Sequence, residues 1–391
     1  MKFGILNLVK KIHHNLPPEL RNSYRFVLVF IRKLGYSLMP VRHFFIKEGD
    51  CDELFSFVYI GWDKKLCSYW LNRISSNCEI ISESGKIASW NIPGFLKRNK
   101  NKVDIVIVES DKNAPPGRYP SSFLLPRWME MNLDIEMSLK KSRINNIKRN
   151  IKKYSLKYEI REGSEAFDLF YHKMYKPYLI KRHGESADIS DYRHFSRKYH
   201  IEKCKLFFII SKNEPVAAAF IETKKNGYRL SAFGILDGST EIFKMGVIGA
   251  LYYFVMLHYY EKGFRSLLIG SSMAVVFDGV TEFKMQIGGE PYLEDLPGRQ
   301  KYYFLPMNTR PRTARILKTN PLFYLTKGGL NIATFISSVD FSNKADFLKF
   351  FKRLKSEKAE KTNMFFLDDD EKIVNWINEE GVKDVEISRY K

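Results

Sequence analysis

Cysteine is scarce in this sequence, with four in 391 residues. Cys51, Cys67, Cys78 and Cys204 are scattered. They form no Cys-x-x-Cys pair and no His/Cys cluster at zinc-ligand spacing. This argues against a disulfide framework and against a bound metal, and fits reduced thiols in a cytoplasmic protein. Long apolar runs are also missing. Residues 26–31 give six and residues 245–257 give thirteen, whereas about 20 are needed to cross a bilayer. No transmembrane segment is therefore expected. Lys2, Lys10 and Lys11 are not followed by a clean apolar core and a small-residue cleavage site, so no secretory leader is expected. Solenoid repeats, low-complexity tracts and RNP, KH, zinc-finger or OB signatures are absent too.

Acid is in short supply: 44 Asp+Glu stand against 64 Lys+Arg, a net charge of +20. Such a balance implies an anionic partner, either a phosphorylated substrate, a nucleic acid or an acidic membrane surface, or simply a solvated cationic exterior. The densest stretch is 140–153, with seven cations and no acid. Ile144, Ile147 and Ile151 recur there at helical spacing, which leaves Lys148, Arg149 and Lys152 for other faces. A second basic and apolar stretch, 24–33, reads as a helix packed on the body or as an interfacial segment.

Hydrophobic residues make up 45% of the chain, ample for packed cores, and its length implies two or three domains. Strand patterns at 55–60, 79–81 and 103–108 alternate with a helix pattern at 64–74. Fully apolar strands imply a sheet covered on both faces. From 206 to 284 the pattern reads as three strands (206–210, 215–221, 228–235), a long apolar helix to about 261, a strand at 267–270 and a second helix. The last strands are expected within 290–306, with 302–305 the clearest. After 306 a strand–helix–strand–helix–strand plan implies a small parallel α/β appendage.

The order of elements from 206 to 284 resembles the acyl-donor half of the GNAT acyltransferase superfamily. Its closing segment, Asp278-Gly279-Val280-Thr281-Glu282-Phe283-Lys284, resembles the Fem-type aminoacyltransferases and the related GNAT-like acyltransferases of cell-surface glycan biosynthesis. The segment 143–153 resembles the basic helix joining the two halves of that family. Tyr175-x-Pro177-Tyr178 followed by Arg182-His183-Gly184 resembles a pattern beside its acceptor site. The resemblance covers roughly 130–305 well. It implies an α/β (α+β) protein of tandem GNAT-like domains at 46–135 and 136–306, preceded by a basic segment, 1–45, and followed by the appendage, 307–391.

The activity it implies is N-acyl transfer from acyl-CoA or aminoacyl-tRNA to an amine of an amino sugar, nucleotide sugar or cell-envelope precursor. The alternative is a non-catalytic basic module on nucleic acid or an acidic membrane. Expected partners are an anionic small-molecule or lipid-linked substrate, with tRNA and peripheral contact at the inner membrane face as further expectations.

In such an enzyme the donor carbonyl is held by backbone N–H groups where two parallel strands part, and its pyrophosphate sits on the next helix N-terminus. The matching residues are Lys244, Met245, Gly246, Val247 and Gly249. The usual Arg/Gln-x-x-Gly-x-Gly/Ala signature is not met, because Gly246 and Gly249 stand three apart, and both glycines equally suit close helix packing. Lys284 is the expected partner of phosphate or oxyanion charge. Asp278 is a second catalytic candidate or only a helix N-cap. Glu222, Asp237 and Glu241 are the general-base candidates near strand ends. Tyr175, Tyr178, Arg182, His183 and Arg149 are the substrate-side candidates, with helix capping the competing reading for Arg182 and His183.

Overall fold

A computed structural model describes residues 38–47, 54–75, 79–184, 187, 189–201, 204–224, 227–337, 340–356, 358–367, 372–379 and 384–389. The stretch 24–33 lies outside them. The chain divides into two units. The first takes in the chain up to Glu109 together with Arg118–Ser122 and Tyr303–Thr313.

In the first unit β1 (Leu38–Lys47) lies between β2 (Phe55–Ile60) and β3 (Glu79–Ala88), antiparallel to both. Helix α1 (Lys64–Ile74) starts on Asp63, whose carboxylate accepts from Leu66 N, which satisfies one of the orphan N–H groups of a helix start. After α2 (Ile92–Asn99), β4 (Ile105–Ser110) joins β2 in parallel, and Lys301–Pro306, which is β13 in chain order, flanks β4. Both β2 and β4 are buried along their whole length, as their largely apolar patterns predict. The last strands expected within 290–306 do not pair with each other, since β13 lies beside β4 and β12 lies in the seven-stranded sheet. Trp70 of α1 stacks at 4.8 Å on Phe304 of that strand.

The second unit holds a seven-stranded sheet. Its early elements are β5 (Phe123–Pro126), β6 (Met129–Asp134), α3 (Ile135–Leu139), α4 (Ser142–Lys153) and β7 (Lys157–Arg161). Next come α5 (Ser164–Asp168), a π-helical stretch (Leu169–Tyr175), α6 (Lys176–His183) and α7 (Tyr192–Ile201). The central run is β8 (Lys205–Ser211), β9 (Glu214–Lys224), β10 (Gly227–Ile235), α8 (Thr240–Lys244), α9 (Val247–Glu261), β11 (Ser266–Ser272), α10 (Gly279–Gln286) and β12 (Gly289–Pro291). Strand order is β12-β6-β11-β10-β9-β8-β7. Three antiparallel strands, a helix, a parallel strand and a helix thus follow in the order read from the sequence.

The long apolar helix is in fact two. Gly246 sits in the left-handed region (φ +79) between α8 and α9 and breaks it. One sheet face is covered by α4 and α9, where Ile144, Ile147, Leu251 and Val255 pack on Leu230 and Ile269. The other is covered by an aromatic layer from α5 to α7, including Phe167, Phe170 and Phe195 on Phe208 and Phe220.

Helix α11 (Pro311–Thr319) begins in the first unit and passes into the second at Ala314, and the second unit carries β14 (Leu322–Leu325), β15 (Leu330–Ile336), α12 (Lys344–Leu354), β16 (Thr362–Phe366), α13 (Lys372–Glu379) and β17 (Val385–Arg389). The strands β15, β16 and β17 are mutually parallel. Phe347, Met364, Ile373 and Ile377 fill the core between strands and helices. This is the parallel appendage that the sequence predicts.

Candidate functional site

The centre of the second unit is a parted pair of parallel strands. β10 and β11 share one register pair, Arg229 with Leu268. Two irregularities lie just beyond it. β10 slips against β9 between Leu230 and Ala232, and β11 slips against β6 between Leu268 and Ser271. Each bulge turns its strand out of the ladder. Gly270 makes the second one possible: its φ is +77, and a Cβ there would stand 2.9 Å from the Leu230 carbonyl oxygen.

Lys284 of α10 closes this place. Its Nζ donates to the carbonyls of Gly270 (2.9 Å) and Ser271 (3.0 Å), and the residue is 3% exposed. Burial pushes the amine down from its ordinary 10.5 to about 7, with Arg229 acting the same way and Glu130 and Asp278 opposing. The amine is therefore enclosed. A neutral amine still has two N–H groups for the two carbonyls, and it keeps a lone pair for a proton.

Around it lies a charge network that sequence reasoning missed. Glu130 of β6, 3% exposed, takes Arg229 Nε at 2.9 Å, Arg299 at 3.3 Å and Ser271 Oγ at 3.3 Å, all on Oε2. Its Oε1 is buried with no hydrogen-bond partner among the described residues. Arg229 also donates to Ser231 Oγ at 2.6 Å. Burial works against its charge, and Glu130 and Glu222 more than restore it. In the sequence Glu130 is one of the polar residues that alternate with Met129, Met131 and Leu133, and Arg229 stands beside Leu230 in a mixed strand.

Glu222 belongs to this network and is unsuited to the base role expected of it. It is 2% exposed and bound by Lys198 and Lys224, each at 2.5 Å, and by Ser231. Burial raises its carboxyl, but those hydrogen bonds outweigh burial and hold it at about 2, too acidic to take a proton from an amine near neutrality. Asp237 is exposed on a left-handed turn (φ 50) after β10. Glu241 is exposed and accepts from Ser239 Oγ at 2.9 Å, in the first turn of α8 that Ser239 caps. None of the three is among the charges acting on Lys284. Asp278 is the N-cap of α10, accepting from Val280 N at 3.1 Å.

The donor-loop residues divide. Lys244 is exposed at the end of α8, Met245 caps it, and Val247 is buried in the core. A Cβ on Gly246 would meet Asn150 Nδ2 at 2.6 Å, and one on Gly249 would meet Ile147 at 3.0 Å. Both glycines thus let α4 approach α9, the packing role their spacing also allowed. Arg149 points outward on α4 and donates to Asn146.

Of the substrate-side group, Tyr175 is buried, and its hydroxyl accepts from Ser190 N at 3.2 Å. Tyr178 is buried against Phe233 at 5.7 Å, and burial raises its hydroxyl. Arg182 is exposed, 4.6 Å above the Phe243 ring of α8. His183 ends α6, and its side chain lies outside the described residues. The structure therefore brings Tyr178 and Arg182 to the β10–α8 turn, while Arg149 lies on α4. Among the described residues no group of three or more His, Cys, Asp or Glu is placed to hold a metal ion, and no helix is long and apolar enough to cross a membrane.

No family model matches the chain, and no curated protein matches it. Solved structures similar to it include FemX, at 12% identity over 67% of this chain and 83% of that one, with a TM-score of 0.36. Another is the C-terminal domain of a putative lysylphosphatidylglycerol synthetase from Agrobacterium fabrum, at 10% over 70% and 83%, with a TM-score of 0.32. A third is a tandem GNAT protein from the clavulanic acid biosynthesis pathway, at 9% over 69% and 84%, with a TM-score of 0.29. Likenesses this faint identify neither donor nor acceptor.

Proposed function

We propose that the chain is an N-acyltransferase working at the parted strands β10 and β11. The observation that supports this best is the enclosure of Lys284, with its depressed proton affinity, on the bulged end of β11 beside β10. Where strands part, their backbone N–H groups serve an oxyanion without a covalent intermediate. A group that titrates near 7 exchanges protons most effectively at neutral pH.

In this reading the acceptor's neutral amine attacks the donor's acyl carbon, and the bond to the donor's sulfur or oxygen breaks. Lys284 takes the proton that the new amide nitrogen loses. The donor is an acyl-CoA or an aminoacyl-tRNA. The acceptor is the amine of an amino sugar, a nucleotide sugar or a cell-envelope precursor, and Tyr178 and Arg182 stand on its side. The test is incubation of the pure protein with a panel of acyl-CoAs and charged tRNAs. Transfer from one donor class is expected, and neither binding nor transfer with any of them would count against it.

A second reading, a non-catalytic module on nucleic acid or acidic membrane, is favoured by the outward cations of α4, with Lys148, Arg149 and Lys152 all exposed. Nucleic-acid binding of that kind weakens steeply with salt. If affinity for random RNA survives charge reversal at these three positions, α4 is not the binding surface.

A further inference from the structure

The appendage after β13 reaches the helix that carries Lys284 before it, on it and after it. Before it, Val276 N donates to Pro321 O at 2.8 Å and Phe323 N to Ala274 O at 3.0 Å, while Val275 bridges Leu322. On it, Arg353 of α12 donates to Glu282 Oε1 through Nε at 3.0 Å and through its terminal nitrogen at 2.9 Å. The same guanidinium lies 4.2 Å above the ring of Phe277, whose edge meets Phe350 at 5.7 Å. After it, Ser356 Oγ donates to Glu290 of β12.

Glu282 and Lys284 are two apart on α10, so they point to different sides of the helix. Arg353 grips the outer side while the amine of Lys284 sits inside, on Gly270 and Ser271. An exposed ion pair alone is worth about 0–1 kcal/mol. Here a two-pronged ion pair on the eight-residue helix joins a cation on a ring and backbone hydrogen bonds on the segment that leads into it. What they fix together is its position, and a displacement of about 1 Å at a reacting group costs far more in rate than in stability.

We propose that Arg353 is a positioning residue for Lys284: through Glu282 and Phe277 it fixes α10 so that the amine rests on the Gly270 and Ser271 carbonyls of β11. The consequence for rate rests on the acyltransferase reading, and the consequence for the amine does not. The charged groups facing that amine are Glu130 from β6, Arg229 from β10 and Asp278 from the cap of its own helix.

The test is nuclear magnetic resonance of the full chain carrying isotope-labelled lysine, with the Lys284 signal identified by its loss in Lys284→Met. The parent should titrate near 7. In Arg353→Ala water gains access to the amine, and the midpoint should rise by about one unit or more. Single-turnover transfer should fall about tenfold at saturating substrate. Arg353→Lys should restore part of the shift, and the exchanged pair Glu282→Arg with Arg353→Glu should restore most of it. A folded Arg353→Ala protein with the parent's midpoint overturns the proposal, as does an exchanged pair that leaves the midpoint displaced. Absence of transfer in the parent strikes the acyltransferase reading alone, because the titration still decides the position of α10.

Discussion

Each unit contains a parallel strand pair whose connection includes two α-helices, and the two pairs end differently. In the first, β2 and β4 stay in register through four successive pairs, from Phe57 with Ile105 to Ile60 with Val108. Their far end is sealed by Glu109, whose buried carboxylate takes Tyr59 Oη, Trp62 N and Asp63 N. In the second, β10 and β11 share one register pair, and both strands are bulged beyond it, between Leu230 and Ala232 and between Leu268 and Ser271. A sealed pair spends its polar groups on itself. A parted pair leaves strand edges facing a gap, and that gap is where a carbonyl gains from backbone donors. The chemistry in the groups follows suit. Burial raises the Glu109 carboxyl, which its three donors oppose without reversing, whereas the Lys284 amine is pushed into the neutral range.

The largest expected effect is at the parted pair. Lys284→Met should lower single-turnover transfer by about a hundredfold or more, and Lys284→Arg should rescue it in part at best. The melting temperature should not fall, because a buried charge is replaced by an apolar chain of similar length. The sign follows from proton counting. Between about 7 and 10.5 the unfolded lysine binds a proton that the folded one lacks, so the parent gains stability as pH rises through that window. The advantage of Lys284→Met is therefore widest below pH 7 and shrinks toward 10.5, which thermal melts across the range would read.

Glu130→Gln comes next. It leaves Arg229 and Arg299 facing a neutral amide, at a cost of about 3 kcal/mol in urea unfolding. It also removes the charge that most supports the Lys284 ammonium, so the amine's midpoint should drop further. An unmoved midpoint would separate Glu130 from the site.

Glu109→Gln sharpens the contrast from the other side. It swaps an acceptor-only carboxylate for a group that satisfies fewer of the three donors, at about 1–3 kcal/mol. Transfer by the remaining folded protein should be unchanged. A drop in transfer would mean that the sealed pair takes part in the reaction, and the contrast would fail.

A further effect is at acid pH. Glu222 is held at about 2, so its contribution to stability is present above its ordinary 4.5 and is lost as pH falls toward 2. Glu222→Gln should flatten that part of the acid unfolding curve. Transfer between pH 6 and 9 should keep the parent's pH dependence, as expected of a counter-ion rather than a base.

What the sequence showed and hid follows from the same physics. Fully buried elements announce themselves: β2 and α1 fall where the apolar run and the helical spacing place them, and Ile144 and Ile147 mark the inner face of α4. β1 was hidden because Pro40, Arg42 and His43 interrupt its apolar pattern, and only its pairing with both β2 and β3 makes it a strand. The break at Gly246 was hidden because an apolar run has no visible joint unless the glycine is known to be left-handed. The partner of β13 was hidden because pairing between strands distant in sequence leaves no local trace. The motif singled out Lys284 as a candidate. Its enclosure was not legible, because burial of a charge depends on what three other strands and a helix contribute. Glu130 and Arg229 escaped for a related reason: a charge in a strand reads as a solvent face until its counter-charge is known.

The most direct measurement is the pH dependence of single-turnover transfer, between pH 6 and 9, for the parent and for Lys284→Met. The account predicts a parent rate that climbs through a midpoint near 7, set by Lys284, and a Met variant that is slower by about a hundredfold and lacks that step. A Met variant with full activity, or one that keeps the step, would contradict it.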